Sequence, residues 1–243
     1  MTPEELLSSH RYTEAIDAYE QVIRARPDED VYAPLGSALL GLRNFDEAIK
    51  SFKRDIEFEG PRVKGHFPSL NELGTALWLA GRQREAIAEW HRAAAGILDG
   101  TFSYGDLAGG GTQGLLLWYG AVTLKDEPER KYAFEYLQTR AARKTYGAIC
   151  WPRPAVLMVL GEKSSADALE IAAGSRVLSA CLEKARRDLL SRRQLCQALF
   201  YSACQQRQAG NEKECIEKMR VCSQLENPII ECEWYLARGE SED

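Results

Sequence analysis

The clearest pattern in the chain is a repeat of small and aromatic side chains at helical spacing, over positions 1–96. Positions 12–19, 45–52 and 83–90 each read aromatic-or-polar, x, Glu, Ala, Ile, x, x, aromatic. Apolar residues at these intervals predict amphipathic helices. The pairs Leu35-Gly36 and Leu73-Gly74 lie upstream of the last two segments. Because glycine has no Cβ, these pairs predict a first helix that packs closely against the second.

This repeat resembles the tetratricopeptide repeat (TPR), which has a period of about 34 residues, Leu-Gly in its first helix and Ala with an aromatic residue in its second. Ala15, Ala48 and Ala86 follow each other at roughly that period. The resemblance implies an all-α fold, a right-handed superhelical TPR solenoid of about five to six helical hairpins with a C-terminal capping helix. Asp55 stands where the family usually has alanine, and we expect it to mark a shift of the helix surface rather than a binding residue.

Beyond residue 96 the repeat weakens. Residues 97–113 are rich in glycine and predict a long loop. Residues 114–238 predict degenerate hairpins and a cap, including a long helix over 187–209 and a last helix over 229–237, followed by a loose polar tail. Since each hairpin buries its faces only against its neighbours, we expect one continuous domain over 1–243.

The C-terminal part carries a second resemblance. Trp151-Pro-x-Pro, Gln194 to Tyr201, Gly210-Asn211 and the segment 230–238 are similar to bacterial TPR scaffolds of the NlpI lipoprotein type. Those proteins are adaptors that dock other proteins, so the resemblance implies a protein partner. This chain has no lipid-attachment cysteine near residue 1, and the envelope location of that family is therefore not carried over.

Composition and charge narrow the function further. The 243 residues are 45% hydrophobic and carry 31 basic and 36 acidic side chains, for a net charge of −5, which gives no global attraction to nucleic acid. No apolar run is long enough for a membrane span, and the acidic start is unlike a signal peptide, so we expect a cytoplasmic protein. The seven cysteines form no Cys-x-x-Cys pair, which disfavours a metal site and favours reduced thiols in the core.

Two motifs could carry chemistry. Gly109 to Gly114 satisfies G-x-G-x-x-G, but a dinucleotide site also needs a preceding strand, so we favour a flexible loop and expect no cofactor. Residues 184–193 form the main basic cluster, which is either a solvated helix face or a contact for an acidic patch on a protein. No arrangement of residues indicates catalysis, and we expect a protein that is not an enzyme.

The concave face of a helical-hairpin stack is the expected binding surface, since the first helix of each hairpin lines it. The repeat register places these partner-binding candidates on that face: Ser37, Leu40, Asn71, Thr75, Trp78, Leu117, Met158, Phe200 and Arg207. Trp78 is either an interface anchor or packed against the neighbouring hairpin. The sequence thus predicts a non-catalytic adaptor for a protein or peptide; the alternatives are an immunity protein that neutralises a cognate toxin and a nucleotide-binding enzyme that uses the Gly-rich loop.

Overall fold

A computed structural model of the chain describes residues 1–58, 69–102, 110–142, 151–226 and 231–242. Within these ranges the chain consists of helices joined by short turns, bends and irregular residues, and no strand occurs among them. The predicted all-α class is therefore confirmed. The helices divide into two compact units, Met1–Ser103 and Tyr104–Asp243. That the whole chain forms one continuous domain stays a prediction.

The first unit is a series of helices in which each one packs against the next along the chain. Its helices are α1 (Pro3–Ser8), α2 (Tyr12–Ala25), α3 (Tyr32–Gly41), α4 (Phe45–Glu57), α5 (Leu70–Leu79) and α6 (Gln83–Asp99). The helix α6 continues into the start of the predicted loop, because Ile97 is buried and keeps the chain on the core until Gly100, which ends the helix in a left-handed conformation.

The second unit is organised around one long helix. Its helices are α7 (Gly111–Thr123), α8 (Glu127–Ala141), α9 (Arg153–Val159), α10 (Ser165–Ala173), α11 (Leu178–Ala185), α12 (Leu189–Gln208), α13 (Glu212–Ser223) and α14 (Cys232–Glu242). The helix α12 contacts α7, α9, α10, α11, α13 and α14. It is the core of this unit, and its stretch 195–204 is buried throughout.

The same tight turn joins the two helices of several hairpins. A residue with positive φ lies two positions before the second helix in each case, namely His10, Arg43, Gly81, Lys125 and Gly210. The next residue donates its backbone N–H to a carbonyl five positions earlier. These bonds satisfy carbonyls that the end of a helix leaves unpaired, so the turn fixes where the second helix begins.

Close packing inside the hairpins follows the glycine–aromatic pattern. A Cβ added to Gly36 would lie 2.5 Å from the ring of Phe52, and one added to Gly74 would lie 2.3 Å from Nε1 of Trp90. The second unit repeats this contact, since a Cβ on Gly114 would lie 2.4 Å from the ring of Tyr136. Each aromatic ring thus fills the space that the missing side chain leaves.

The alanine positions of the repeat are fully buried, and so is Cys215 of α13. Ala15, Ala48, Ala86 and Cys215 all have no exposed surface. Asp55 is buried as well, so the expectation of a surface shift is wrong. Its Oδ2 accepts a hydrogen bond of 3.0 Å from the backbone N–H of Ser69, which compensates for the burial of a polar group next to α5.

Two further expectations need correction in the second unit. The polar tail is not loose, because α14 continues to Glu242 and Glu240 pairs with Arg207 at 2.9 Å. The helix α11 is absent from the sequence-based prediction, and α12 begins at Leu189, where Asp188 caps it by accepting from the N–H of Ser191.

The six described cysteines are buried free thiols, as expected, and Cys150 lies outside the described residues. Cys196 and Cys222 bring their Sγ atoms to 3.5 Å between α12 and α13. Burial raises the pKa of the Cys196 thiol well above its usual range, and it raises the pKa of Cys215 to about 11. The thiols of Cys196 and Cys215 therefore stay protonated at neutral pH and act as small apolar side chains.

Candidate functional site

The candidates on α5 gather around one tryptophan. The backbone carbonyl of Asn71 accepts hydrogen bonds from Oγ1 of Thr75 at 2.9 Å and from Nε1 of Trp90 at 3.1 Å. Trp78 stacks on Trp90 with ring centroids 5.6 Å apart. Trp78 is only 6% exposed. These side chains hold α5 against α6, and their role in partner binding stays a prediction that their burial disfavours.

The other uncharged candidates are also core residues. Ser37 is buried and donates from Oγ to the carbonyl of Ala33 in its own helix, and Leu40 is buried beside it on α3. In the second unit, Leu117, Met158 and Phe200 have no exposed surface. All of them lie on helices, but those helices are covered on the side that the sequence predicts to be open.

Arg207 is the one charged candidate, and its guanidinium forms hydrogen bonds within the second unit. Its guanidinium donates to both Glu212 and Glu240, and also to Oγ1 of Thr123 at 3.2 Å. Glu240 in turn accepts from the hydroxyl of Tyr119 at 2.6 Å. Burial lowers the pKa of Arg207, but the bonds to the two glutamates outweigh this effect and raise it. This network attaches α14 to α12 and α7, which is a structural role.

A second buried polar network lies nearby and joins α12 to the start of α14. Nε2 of Gln197 donates to Glu231 and to Glu233, each at 3.1 Å, and the Tyr201 hydroxyl donates to Glu233 at 2.7 Å. Arg193 pairs with Glu231 at 2.5 Å. Burial raises the pKa of Glu233, although the donated hydrogen bonds oppose the shift. The donors of this network bond to acceptors within the second unit, so the network holds the start of α14 against α12.

Exposed apolar and basic side chains come together at the junction of α11 and α12. We call this surface the basic corner and define it by Lys184, Arg186, Arg187, Leu189 and Leu190. Leu189 is 43% exposed and Leu190 61% exposed. Arg186 and Arg187 both pair with the single carboxylate of Glu183, so the corner keeps a net positive charge. Exposed leucines beside arginines are typical of interaction surfaces.

A groove adjoins the basic corner. The helices α11 and α13 both pack on α12, and two hollows of about 690 Å³ and about 310 Å³ lie along α13. Val221 lines both hollows, and Arg186 of the basic corner lines the smaller one. We call this feature the α11–α13 groove; its apolar lining residues are Leu178, Leu182, Ala185, Leu199, Val221 and Leu225. Its charged lining residues are Arg186, Arg192, Lys213, Glu214, Glu217, Lys218 and Glu226.

The described glycines of the Gly-rich motif take part in helix packing. Gly109 lies outside the described residues, while Gly110 precedes α7 in a left-handed conformation. Gly111 and Gly114 belong to α7, and a Cβ on Gly111 would lie 3.0 Å from the ring of Pro152. These two glycines are therefore needed for close contacts at the start of α9 and with α8.

Among the helices in the described ranges, none is both long enough and apolar enough to cross a bilayer. Within the same ranges, no group of three or more histidine, cysteine, aspartate or glutamate side chains is placed to hold a metal ion. No protein-family model matches the chain, and no curated protein matches it.

The basic corner is partly visible in the sequence. The basic residues of 184–193 predict either a solvated helix face or a contact for an acidic protein surface, but the sequence does not predict the α11–α13 groove. The sequence signal for α11, which forms one side of the groove, is weak because this helix has only 8 residues and no side-chain cap. The adjacent Leu189 and Leu190 belong to an apolar helical stripe, and a stripe does not show which of its members lie at an exposed helix start.

Proposed function

We propose that the chain is a non-catalytic protein-binding adaptor and that its hairpins are TPR-like repeats of a solenoid. The repeated turn supports the assignment of the repeats, because it has the same geometry in hairpins of both units. The glycine–aromatic contacts support it as well, since they recur in α3–α4, α5–α6 and α7–α8. Stacked hairpins of this type commonly present surfaces to other proteins.

One observation carries the functional part of the proposal, namely where the exposed apolar side chains lie. Six large hydrophobic side chains are exposed among the described residues, and three of them, Val177, Leu189 and Leu190, lie close together in the sequence around α11. Scattered single leucines need no explanation, but a group beside arginines favours an interface. The basic corner therefore replaces the buried residues Asn71, Thr75 and Trp78 as the favoured contact.

The test is binding to a purified partner. Proteins retained from native lysate by the full chain are identified by mass spectrometry, purified and titrated against the chain by calorimetry. The double variant Leu189→Ser/Leu190→Ser should weaken binding by about tenfold or more, which corresponds to about 1.4 kcal/mol. The double variant Leu42→Ser/Leu98→Ser is the matched control, since those leucines are 47% and 43% exposed in the first unit.

The proposal is wrong if no retained protein binds the purified chain stoichiometrically. It is also wrong in its location if both double variants bind the partner as tightly as the parent chain. An immunity role, which the net charge of −5 suggests, stays a prediction; it would be supported if the purified partner were a toxin whose activity the chain inhibits.

A further inference from the structure

We infer that the α11–α13 groove binds an amphipathic helix of a protein partner, and that glutamates or aspartates on this helix pair with the arginines of the basic corner. The inference rests on the proposed function, because it names the class of partner and the surface that receives it. It is carried by the shape of the groove, by its apolar lining and by the charge beside it.

The shape favours a helix. The groove lies between two helices that pack on the same third helix, and α13, with 12 residues, sets a length of about 18 Å at about 1.5 Å per residue. That length matches about three turns of a docked helix. Helices that bind in such grooves present apolar anchors at positions i, i+3, i+4 and i+7 along one face.

The apolar residues that line the groove are the reason to expect an apolar face on the partner helix. Leu182 lines the smaller hollow, Leu199 lines the larger one, and Val221 lines both. Leu182 and Val221 are partly exposed, so each has apolar surface left to cover. Side chains that enter the two hollows would remove this surface from water, which favours binding.

The positive charge of the basic corner is the reason to expect acidic residues on the partner helix. Residues 184–193 contain five basic side chains and one acidic side chain, although the whole chain has a net charge of −5. Arg192 and Arg193 pair with Glu226 and Glu231, so the excess positive charge lies on Lys184, Arg186 and Arg187 of the basic corner. Arg186 and Arg187 share Glu183, and their side chains are 72% and 78% exposed. Exposed ion pairs contribute little stability, so carboxylates of a partner can replace or join Glu183 at small cost. A partner with basic residues at this end would be repelled.

A concave groove also distinguishes this partner from an anionic membrane. Lipid headgroups could pair with Arg186 and Arg187, but a bilayer surface cannot fill two hollows along α13. The net negative charge of the chain further disfavours approach to an anionic bilayer. The experiment includes vesicles so that this alternative gives its own result.

The probe is a fluorescent helical peptide of about four turns, with leucines at i, i+3, i+4 and i+7 and glutamates at its other positions. A second peptide has lysine in place of every glutamate. Anisotropy titrations with the full chain should show saturable binding of the glutamate peptide and at least about tenfold weaker binding of the lysine peptide. The variant Arg186→Glu/Arg187→Glu should reverse this preference.

Two matched controls isolate the site. The variant Arg24→Glu/Arg26→Glu makes the same charge change at exposed, ion-paired arginines of the first unit and should keep the parent preference. Val221→Trp should fill the groove and weaken both peptides, whereas Arg220→Trp, at an exposed position of α13 that lines neither hollow, should weaken neither. Circular dichroism of each variant confirms that it is folded.

The inference is overturned if the glutamate peptide does not bind, or if Arg186→Glu/Arg187→Glu leaves the preference between peptides unchanged. It is also overturned if phosphatidylserine vesicles bind the chain through these arginines and the peptides do not. Failure here is separable from failure of the proposed function, because a purified natural partner that still binds the Arg186→Glu/Arg187→Glu and Val221→Trp variants would leave the adaptor function standing.

Discussion

The contact between Gly74 and Trp90 makes the packing of the α5–α6 hairpin directly testable. Replacing Gly74 with alanine would place a Cβ 2.3 Å from Nε1 and 2.6 Å from Cδ1 of an indole that has no exposed surface. The ring cannot keep its position, so its 3.1 Å hydrogen bond to the carbonyl of Asn71 should be lost or weakened. Overpacking of this kind typically costs about 1–3 kcal/mol.

Two other effects enter the expected free energy of unfolding. Loss of the indole hydrogen bond adds about 1 kcal/mol of destabilisation. Alanine in a helix is better than glycine by about 1 kcal/mol, which offsets that loss. The Gly74→Ala variant should therefore be destabilised by about 1–3 kcal/mol, measured by urea denaturation followed by far-ultraviolet circular dichroism.

The control removes the ring. In a Trp90→Leu background the added methyl group has no indole to displace, so Gly74→Ala should be neutral or slightly stabilising there, and the difference between the two backgrounds isolates the contact. If Gly74→Ala instead raises the stability of the parent chain by the helix-propensity gain alone, the close approach of α5 to α6 is refuted.

The remaining predictions concern other buried positions. Ala48→Leu and Ala86→Leu should each destabilise by about 1–3 kcal/mol through overpacking, and parent-like denaturation midpoints would contradict the repeat register. Burial raises the pKa of Glu233, so the stability that this side chain contributes is present at low pH and is lost as pH rises through that pKa. Glu233→Gln should therefore stabilise the protein most at alkaline pH and least at acidic pH, as measured by urea titrations. Buried Cys196 and Cys222 should react with a thiol reagent only after denaturation; fast reaction of the native protein would show that α12 and α13 separate readily.

The sequence is informative wherever the fold depends on local spacing. Gly36 with Phe52 and Gly74 with Trp90 lie within one hairpin, and the repeat therefore predicts the small residues and the aromatic residues that meet there. It also places Asn71 and Trp78 on the same helix, as observed. Their burial is not predictable in the same way, because periodicity gives the face of a helix but not what covers that face.

Long-range polar contacts explain most of the other features that the sequence does not predict. The helical course of the segment that contains Glu240 depends on Arg207, and a polar tail with no apolar periodicity gives no sign of such a partner. Asp55 is similar, since its burial is compensated by the backbone N–H of Ser69 at the start of a different helix. The basic corner is visible as a charge cluster, but the α11–α13 groove beside it requires the positions of three helices.

The attachment of α14 affects the order in which the chain can fold during synthesis. The hairpins of the first unit join residues that are close in sequence, and such local contacts form rapidly. The Tyr119 hydroxyl, in contrast, bonds to the carboxylate of Glu240, which is synthesised 121 residues later. On the ribosome, the first unit can fold as soon as it emerges. Tyr119 and Arg207 lack their hydrogen bonds to Glu240 until that residue has been synthesised. We expect part of α12 in the second unit to stay uncovered during that interval, which exposes apolar surface that a chaperone can shield.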